Sequence, residues 1–144
     1  MSPRDTILRG HATLSEFRRT MQSIGRRALA LLVEDAPDDI DLTRRLFARH
    51  DIPLDVATTA AAGKDMMLQK EYDIVFLDLV LPDCSGLDVI SHAYGHQDKA
   101  FFIVLTGIND DNPMIKEALE RGAKAAIRKP ITDDHLRLIF GSLP

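Results

Sequence analysis

From residue 28 onward, short apolar runs alternate with stretches in which apolar residues recur every three or four positions. Short runs bounded by turn residues read as strands, and the longer periodic stretches read as helices. The strands are expected near Ala28 to Val33, Leu54 to Ala57, Ile74 to Leu77, Phe101 to Leu105 and Ala123 to Arg128. Helices are expected near Pro37 to His50, Ala60 to Gln69, Gly86 to Tyr94, Pro113 to Arg121 and Asp133 to Phe140. Strict alternation of this kind predicts an α/β sheet built from right-handed crossovers. Parallel strands covered on both faces are continuous in their apolar character, as in Ile74-Val75-Phe76-Leu77.

Local signals support the helices. Asn112 before Pro113 offers a side-chain cap and a first-turn residue that needs no hydrogen-bond acceptor. Ser85 with Asp88 does the same for the helix from Gly86. In the last helix Leu136, Ile139, Phe140 and Leu143 share one face, and Gly141 and Pro144 end it, so no further domain is expected after it. Residues 1–27 read as two short helices. Ser2-Pro3-Arg4-Asp5 starts the first and Gly10 stops it; the capping box Thr13-Leu14-Ser15-Glu16 starts the second and Gly25 stops it. In the second, Leu14, Phe17, Met21 and Ile24 form one apolar stripe, which either packs on the chain's own sheet or pairs with a second copy.

The 144 residues, 45% of them hydrophobic, suit one core. The net charge of −4 is unevenly placed: residues 1–27 hold six arginines against Asp5 and Glu16, and the remainder is strongly acidic. That division makes residues 1–27 an N-terminal helical extension for packing, docking or dimerisation, with the main domain at 28–144. Its arginines are too sparse, with only Phe17 for base stacking, to predict nucleic-acid binding. The single cysteine, Cys84, excludes an intrachain disulfide, and no apolar stretch approaches the roughly 20 residues of a membrane span. A cytoplasmic protein without a membrane partner is expected. His92 and His96 have helical metal-ligand spacing, but Gly95 interrupts it and no glutamate accompanies them.

The candidate chemistry lies at the strand ends. Glu34 and Asp35 close one apolar run and Asp78 closes another, so three carboxylates meet at one sheet edge if both runs are parallel strands. Thr106 and Lys129 follow two further runs. A carboxylate accepts a phosphoryl group when a divalent cation and nearby ammonium groups neutralise the charge that gathers during in-line transfer, and Mg²⁺ favours such hard oxygen ligands. Singly, Asp35 or Asp38 reads equally well as a helix-start residue and Asp78 less readily so, while Thr106 alone is more often a turn residue and Lys129 alone a solvated charge.

The ordered set is more specific. Leu32-Val33-Glu34-Asp35 with Asp38-Asp39, Phe76-Leu77-Asp78-Leu79 with Leu81-Pro82 and Ser85-Gly86, Leu105-Thr106-Gly107, Arg121-Gly122-Ala123 and Lys129-Pro130 together resemble the receiver domain of the two-component response regulators. The resemblance implies a flavodoxin-like, doubly wound, five-stranded parallel sheet of order 2-1-3-4-5. It implies Asp78 as phosphoacceptor for a histidine kinase or histidine phosphotransfer protein, and Mg²⁺ held by Glu34, Asp35, Asp78 and the Val80 backbone carbonyl. Thr106 and Lys129 would bind phosphoryl oxygens, and the Lys129-Pro130 peptide would be cis.

At the fifth-strand position where the family carries a switching aromatic, this chain has Ala126, which has no rotamer to switch. Signalling is therefore expected through backbone and loop motion near Thr106 to Pro113, or the two states differ only slightly. The function this implies is a phosphoacceptor signalling protein, not an enzyme, acting on a downstream protein target by contact. The sequence leaves the oligomeric state open; a homodimer would pair either through residues 1–27 or through the face from the fourth helix to the fifth. The alternatives are a degenerate receiver used as a scaffold and an aspartate-nucleophile phosphatase; the latter needs a second aspartate where this chain has Val80.

Overall fold

The computed structural model describes residues 7–9, 11–25, 27–93, 100–107 and 113–141. Its strands are β1 (Ile7–Arg9), β2 (Ala30–Val33), β3 (Leu54–Ala57), β4 (Ile74–Asp78), β5 (Phe101–Thr106) and β6 (Ala125–Arg128). The helices are α1 (His11–Ile24), α2 (Pro37–Arg49), α3 (Ala60–Gln69), α4 (Gly86–Ala93), α5 (Pro113–Glu120) and α6 (Asp133–Phe140). The sheet order is β1-β6-β5-β4-β2-β3. All pairs from β3 to β6 are parallel, and they give the expected five-stranded order. The sixth strand, β1, runs antiparallel along β6, with Ile7 opposite Ile127 and Arg9 opposite Ala126 and a register break between them.

Alternation along the strands divides the core. Leu31, Val33, Val75, Leu77, Phe102, Val104 and Ala126 face α3, α4 and α5. Ala30, Leu32, Ile74, Phe76, Ile103, Leu105, Ala125 and Ile127 face α1, α2 and α6. Because β2 and β4 are buried on both faces, their sequences read as unbroken apolar runs.

The N-terminal segment differs from the expectation of two short helices. Ile7–Arg9 is a strand, and the helix begins at His11, before the Thr13 capping box. Residues 1–6 and Gly10, invoked for the first helix, lie outside the described residues. Three residues are too few to show a period, and only β6 supplies their pairing. The stripe on α1 packs inward on the chain's own domain. Leu14, Phe17 and Met21 are buried in the core shared with α2 and α6. The Phe17 ring lies 4.7 Å from that of Phe101 and 6.1 Å from that of Phe140, the second pair edge to face. Gly141, at φ +85°, lets α6 end against α1; a Cβ there would lie 3.1 Å from Arg18 Cδ. Arg27 then fastens the following connection, donating to the Asp51 carbonyl at 2.6 Å and to its carboxylate at 2.9 Å.

Caps follow the sequence in most places. Ser85 Oγ accepts from Leu87 N–H at 2.9 Å at the start of α4. Gly25 stops α1 with φ +76°. Thr132 and His135 form a reciprocal capping box at α6. The N-cap of α2 is Ala36, which has no side-chain capping bond, so neither Asp35 nor Asp38 caps that helix. Asn112, Leu143, Pro144 and His96 lie outside the described residues.

Candidate functional site

The β2 strand delivers Glu34 to the sheet edge, and the Glu34 N–H continues the ladder by donating to the Ala57 carbonyl at 3.0 Å. This holds its side chain inward, 1% exposed. Asp35 turns outward, and Pro37 immediately begins α2. Asp78 is the last residue of β4, in the middle of the sheet. The loop after it folds back tightly: Val80 N–H donates to Asp78 Oδ1 at 3.0 Å, and Gly86 N–H donates to the Leu79 carbonyl at 2.9 Å. A Cβ at Gly86 would overlap the Asp78 carbonyl oxygen and lie 3.0 Å from Leu79 Cα, so only glycine fits there.

From the other side of the site, Thr106 ends β5 and is buried, and its carbonyl accepts from Lys129 N–H at 2.9 Å. The Lys129-Pro130 peptide is cis. Lys129 extends over the carboxylates, with Nζ 3.0 Å from Glu34 Oε1, 3.3 Å from Asp78 Oδ2 and 3.3 Å from Asp39 Oδ2. Oxygens of Glu34, Asp35 and Asp78 lie within 4.8 Å of one another, a spacing that fits one small cation. A shallow groove lined by Asp39, Leu42, Thr43, Lys129, Pro130 and Ile131 runs beside the site.

The electrostatics follow from crowding like charges at a partly dry edge. Burial, together with the hydrogen bond to Asp78, pushes the Glu34 carboxyl up to about 8, and the Lys129 ammonium only partly offsets this. Burial alone would lower Lys129, but its hydrogen bond to Glu34 and the charges of Asp78 and Glu34 outweigh it and raise the ammonium above its ordinary value. Lys129 is therefore a fixed positive charge. A divalent cation among the all-oxygen donors would favour the ionised form of Glu34, so the residues present fit a hard cation such as Mg²⁺.

Glu34, Asp35, Asp78 and Lys129, picked out from separate strand ends, thus converge, with Thr106 at the neighbouring strand end. Val80 is 62% exposed at the mouth. Ala126 is buried in the core on the α5 side. Residues 108–112, where loop motion is expected, lie outside the described residues.

Two participants were not assigned from sequence. Asp39, in sequence only the second half of the Asp38-Asp39 pair, reaches Lys129 from the first turn of α2. Asp83 ties the post-acceptor loop to α3 by accepting from Ala60 and Ala61 N–H, both at 2.9 Å. The one signal for Asp39 was an acid about one helical turn after Glu34-Asp35; for Asp83 there was none.

A sheet of this order, with acids at two central strand ends and a lysine at a third, defines a receiver-type α/β protein. Residues 30–140 match the response regulator receiver domain family, and the chain belongs to it. It is 32% identical over 106 residues to the aerobic respiration control sensor protein ArcB of Escherichia coli, covering 71% of this chain and 13% of that protein. It is 31% identical over 115 residues to the response regulator SaeR of Staphylococcus epidermidis, covering 78% of this chain and 48% of SaeR. The chain thus spans less than half the length of these relatives.

Among solved structures, a CheY-like receiver domain from Methylobacillus flagellatus superposes with a TM-score of 0.70 at 28% identity, covering 79% of this chain and 96% of that one. A Burkholderia pseudomallei response regulator, solved with a phosphorylated aspartic acid, calcium ion and citrate, gives 0.70 at 21% identity over 78% of this chain and 66% of its own. The receiver domain of the sensor histidine kinase PA1611 from Pseudomonas aeruginosa, with magnesium coordinated in its active-site cleft, gives 0.70 at 19% identity over 80% of this chain and 95% of its own.

Proposed function

We propose that this chain is a phosphorylatable receiver whose acceptor is Asp78, and that it passes a signal by protein contact without catalytic turnover of a substrate. The observation that carries the reading is the Lys129 ammonium 3.3 Å from Asp78 Oδ2, beside the oxygens of Glu34 and Asp35. In the reaction, an Asp78 carboxylate oxygen attacks the phosphorus of a partner's phosphohistidine. The O–P bond forms in line as the N–P bond breaks, and the imidazole leaves with the bonding pair. Glu34, Asp35, Asp78 and the Val80 carbonyl would hold Mg²⁺, which when bound neutralises charge on the transferring group. Lys129 and the Thr106 hydroxyl would each bind a phosphoryl oxygen.

The phosphorylated aspartate in the Burkholderia relative and the magnesium in the Pseudomonas one support the same chemistry for this chain. The donor is a histidine kinase or phosphotransfer protein, in keeping with the kinship to ArcB. The output is a downstream protein target, and the working location is the cytoplasm. No helix among the described residues is long and apolar enough to cross a membrane.

The deciding experiment is incubation with Mg²⁺ and acetyl phosphate followed by intact mass measurement. Wild type gains one phosphate and Asp78→Asn gains none. A folded wild type that stays unmodified, in the presence of saturating Mg²⁺, would assign the protein to scaffolding instead.

A further inference from the structure

Lys129 is fully engaged before any phosphoryl group arrives. An ammonium has three N–H donors, and its nitrogen lies within 3.3 Å of three carboxylates, Glu34, Asp39 and Asp78. A phosphoryl group on Asp78 brings additional acceptor oxygens beside the same nitrogen, so a donor must be freed to reach one of them.

The three partners differ in how easily they give Lys129 up. Glu34 is 1% exposed, so water cannot take the place of the ammonium there. Asp78 is the reacting group itself. The Asp39 side chain is 39% exposed and sits in the first turn of α2, where water and the positive end of the helix can take the place of the ammonium.

We propose that Asp39 is a positioning residue: it holds Lys129 in the unphosphorylated protein and is the partner released when the phosphoryl group binds. The inference rests on the receiver reading above. It makes Asp39 a brake on entry into the phosphorylated state, acting through Lys129 without touching the reacting atoms.

The test is calorimetric titration of the full chain with beryllofluoride, a phosphoryl mimic, at saturating Mg²⁺, alongside a separate titration with Mg²⁺ alone. Asp39→Asn is expected to bind beryllofluoride about two- to fivefold more tightly than wild type, because a partly exposed ion pair no longer competes for Lys129. Mg²⁺ affinity is expected to stay equal or weaken, since removing a negative charge cannot strengthen cation binding. Merely loosened structure would weaken both ligands, so tighter beryllofluoride binding without tighter Mg²⁺ binding identifies positioning.

Asp38→Asn removes the same charge one residue away, at an exposed position outside the set of Lys129 partners, and is expected to stay near wild type. Asp39→Glu is expected to restore wild-type behaviour. Equal or weaker beryllofluoride binding by Asp39→Asn, or equal tightening by Asp38→Asn, overturns the proposal while leaving the receiver reading intact. If folded wild type binds no beryllofluoride with Mg²⁺ present, the receiver reading fails and the proposal goes with it.

Discussion

Truncating Phe17 to alanine tests whether α1 belongs to the domain core or merely lies on it. The ring is 2% exposed and contacts Phe101 on β5 and Phe140 on α6, so its removal leaves a void between three elements. Phe→Ala at such sites costs about 3–5 kcal/mol, of which each favourable ring pair accounts for about 0.5–1.5 kcal/mol. For a chain of this length, about 3 kcal/mol corresponds to a fall in melting temperature of roughly 10 °C. Urea unfolding followed by circular dichroism gives the difference directly, with Arg19→Ala, on the exposed face of α1, as the control expected within about 0.5 kcal/mol of wild type. A Phe17→Ala loss no larger than that of Arg19→Ala would refute the packing argument and return the segment to the status of a detachable extension.

Two further perturbations probe the site and the helix that follows it. Gly86→Ala forces a methyl group into the Asp78 carbonyl and is expected to cost about 2–4 kcal/mol and to move the amide resonances of Asp78 to Val80; Gly107→Ala, where a Cβ meets nothing within 4 Å, is expected to be neutral. Equal stability of the two variants would show that the β4–α4 turn has slack that the geometry denies. His135 is buried and neutral, its Nδ1 accepting from Thr132 N–H at 3.0 Å, and burial holds its pKa below the ordinary 6.5 against the raising effect of Asp134. Between that lowered value and 6.5 the unfolded chain binds more protons than the native one, so this group's contribution to stability is lost as pH falls below 6.5, by at most about 1.4 kcal/mol per pH unit. His135→Gln keeps a capping side chain and is expected to flatten that part of the stability profile; an unchanged acid limb in urea midpoints measured from pH 7 to pH 5 would contradict it.

The parallel sheet was legible because its central strands, β2 and β4, are buried on both faces and their composition says so without help from neighbours. Leu54–Ala57, Ala60–Gln69 and Asp133–Phe140 fall where the pattern placed them, and from residue 28 onward the remaining strands and helices differ by one or two residues at one end where turns begin. The site was legible for a related reason: Glu34, Asp78 and Lys129 each terminate an apolar strand, and a parallel sheet collects strand ends on one edge. Ile7–Arg9 was not legible. Its partner strand is remote in sequence, and three residues between polar neighbours have no period of their own. Asp39 was hidden differently. An acid in the first turn of a helix is adequately explained by the helix itself, and only the reach of Lys129 across the edge gives it a second partner.

The antiparallel strand on β6 also changes what the sheet offers to other chains. A bare outer strand presents a row of unpaired amides and carbonyls on which a passing polypeptide can build, the first step toward fibrous aggregation. Here the chain supplies its own final rung, only three residues long and broken in register between Ile7 and Arg9. A stranger that adds along Ile7–Arg9 meets a short, irregular template, so the side of the sheet next to Lys129 is blunted against growth.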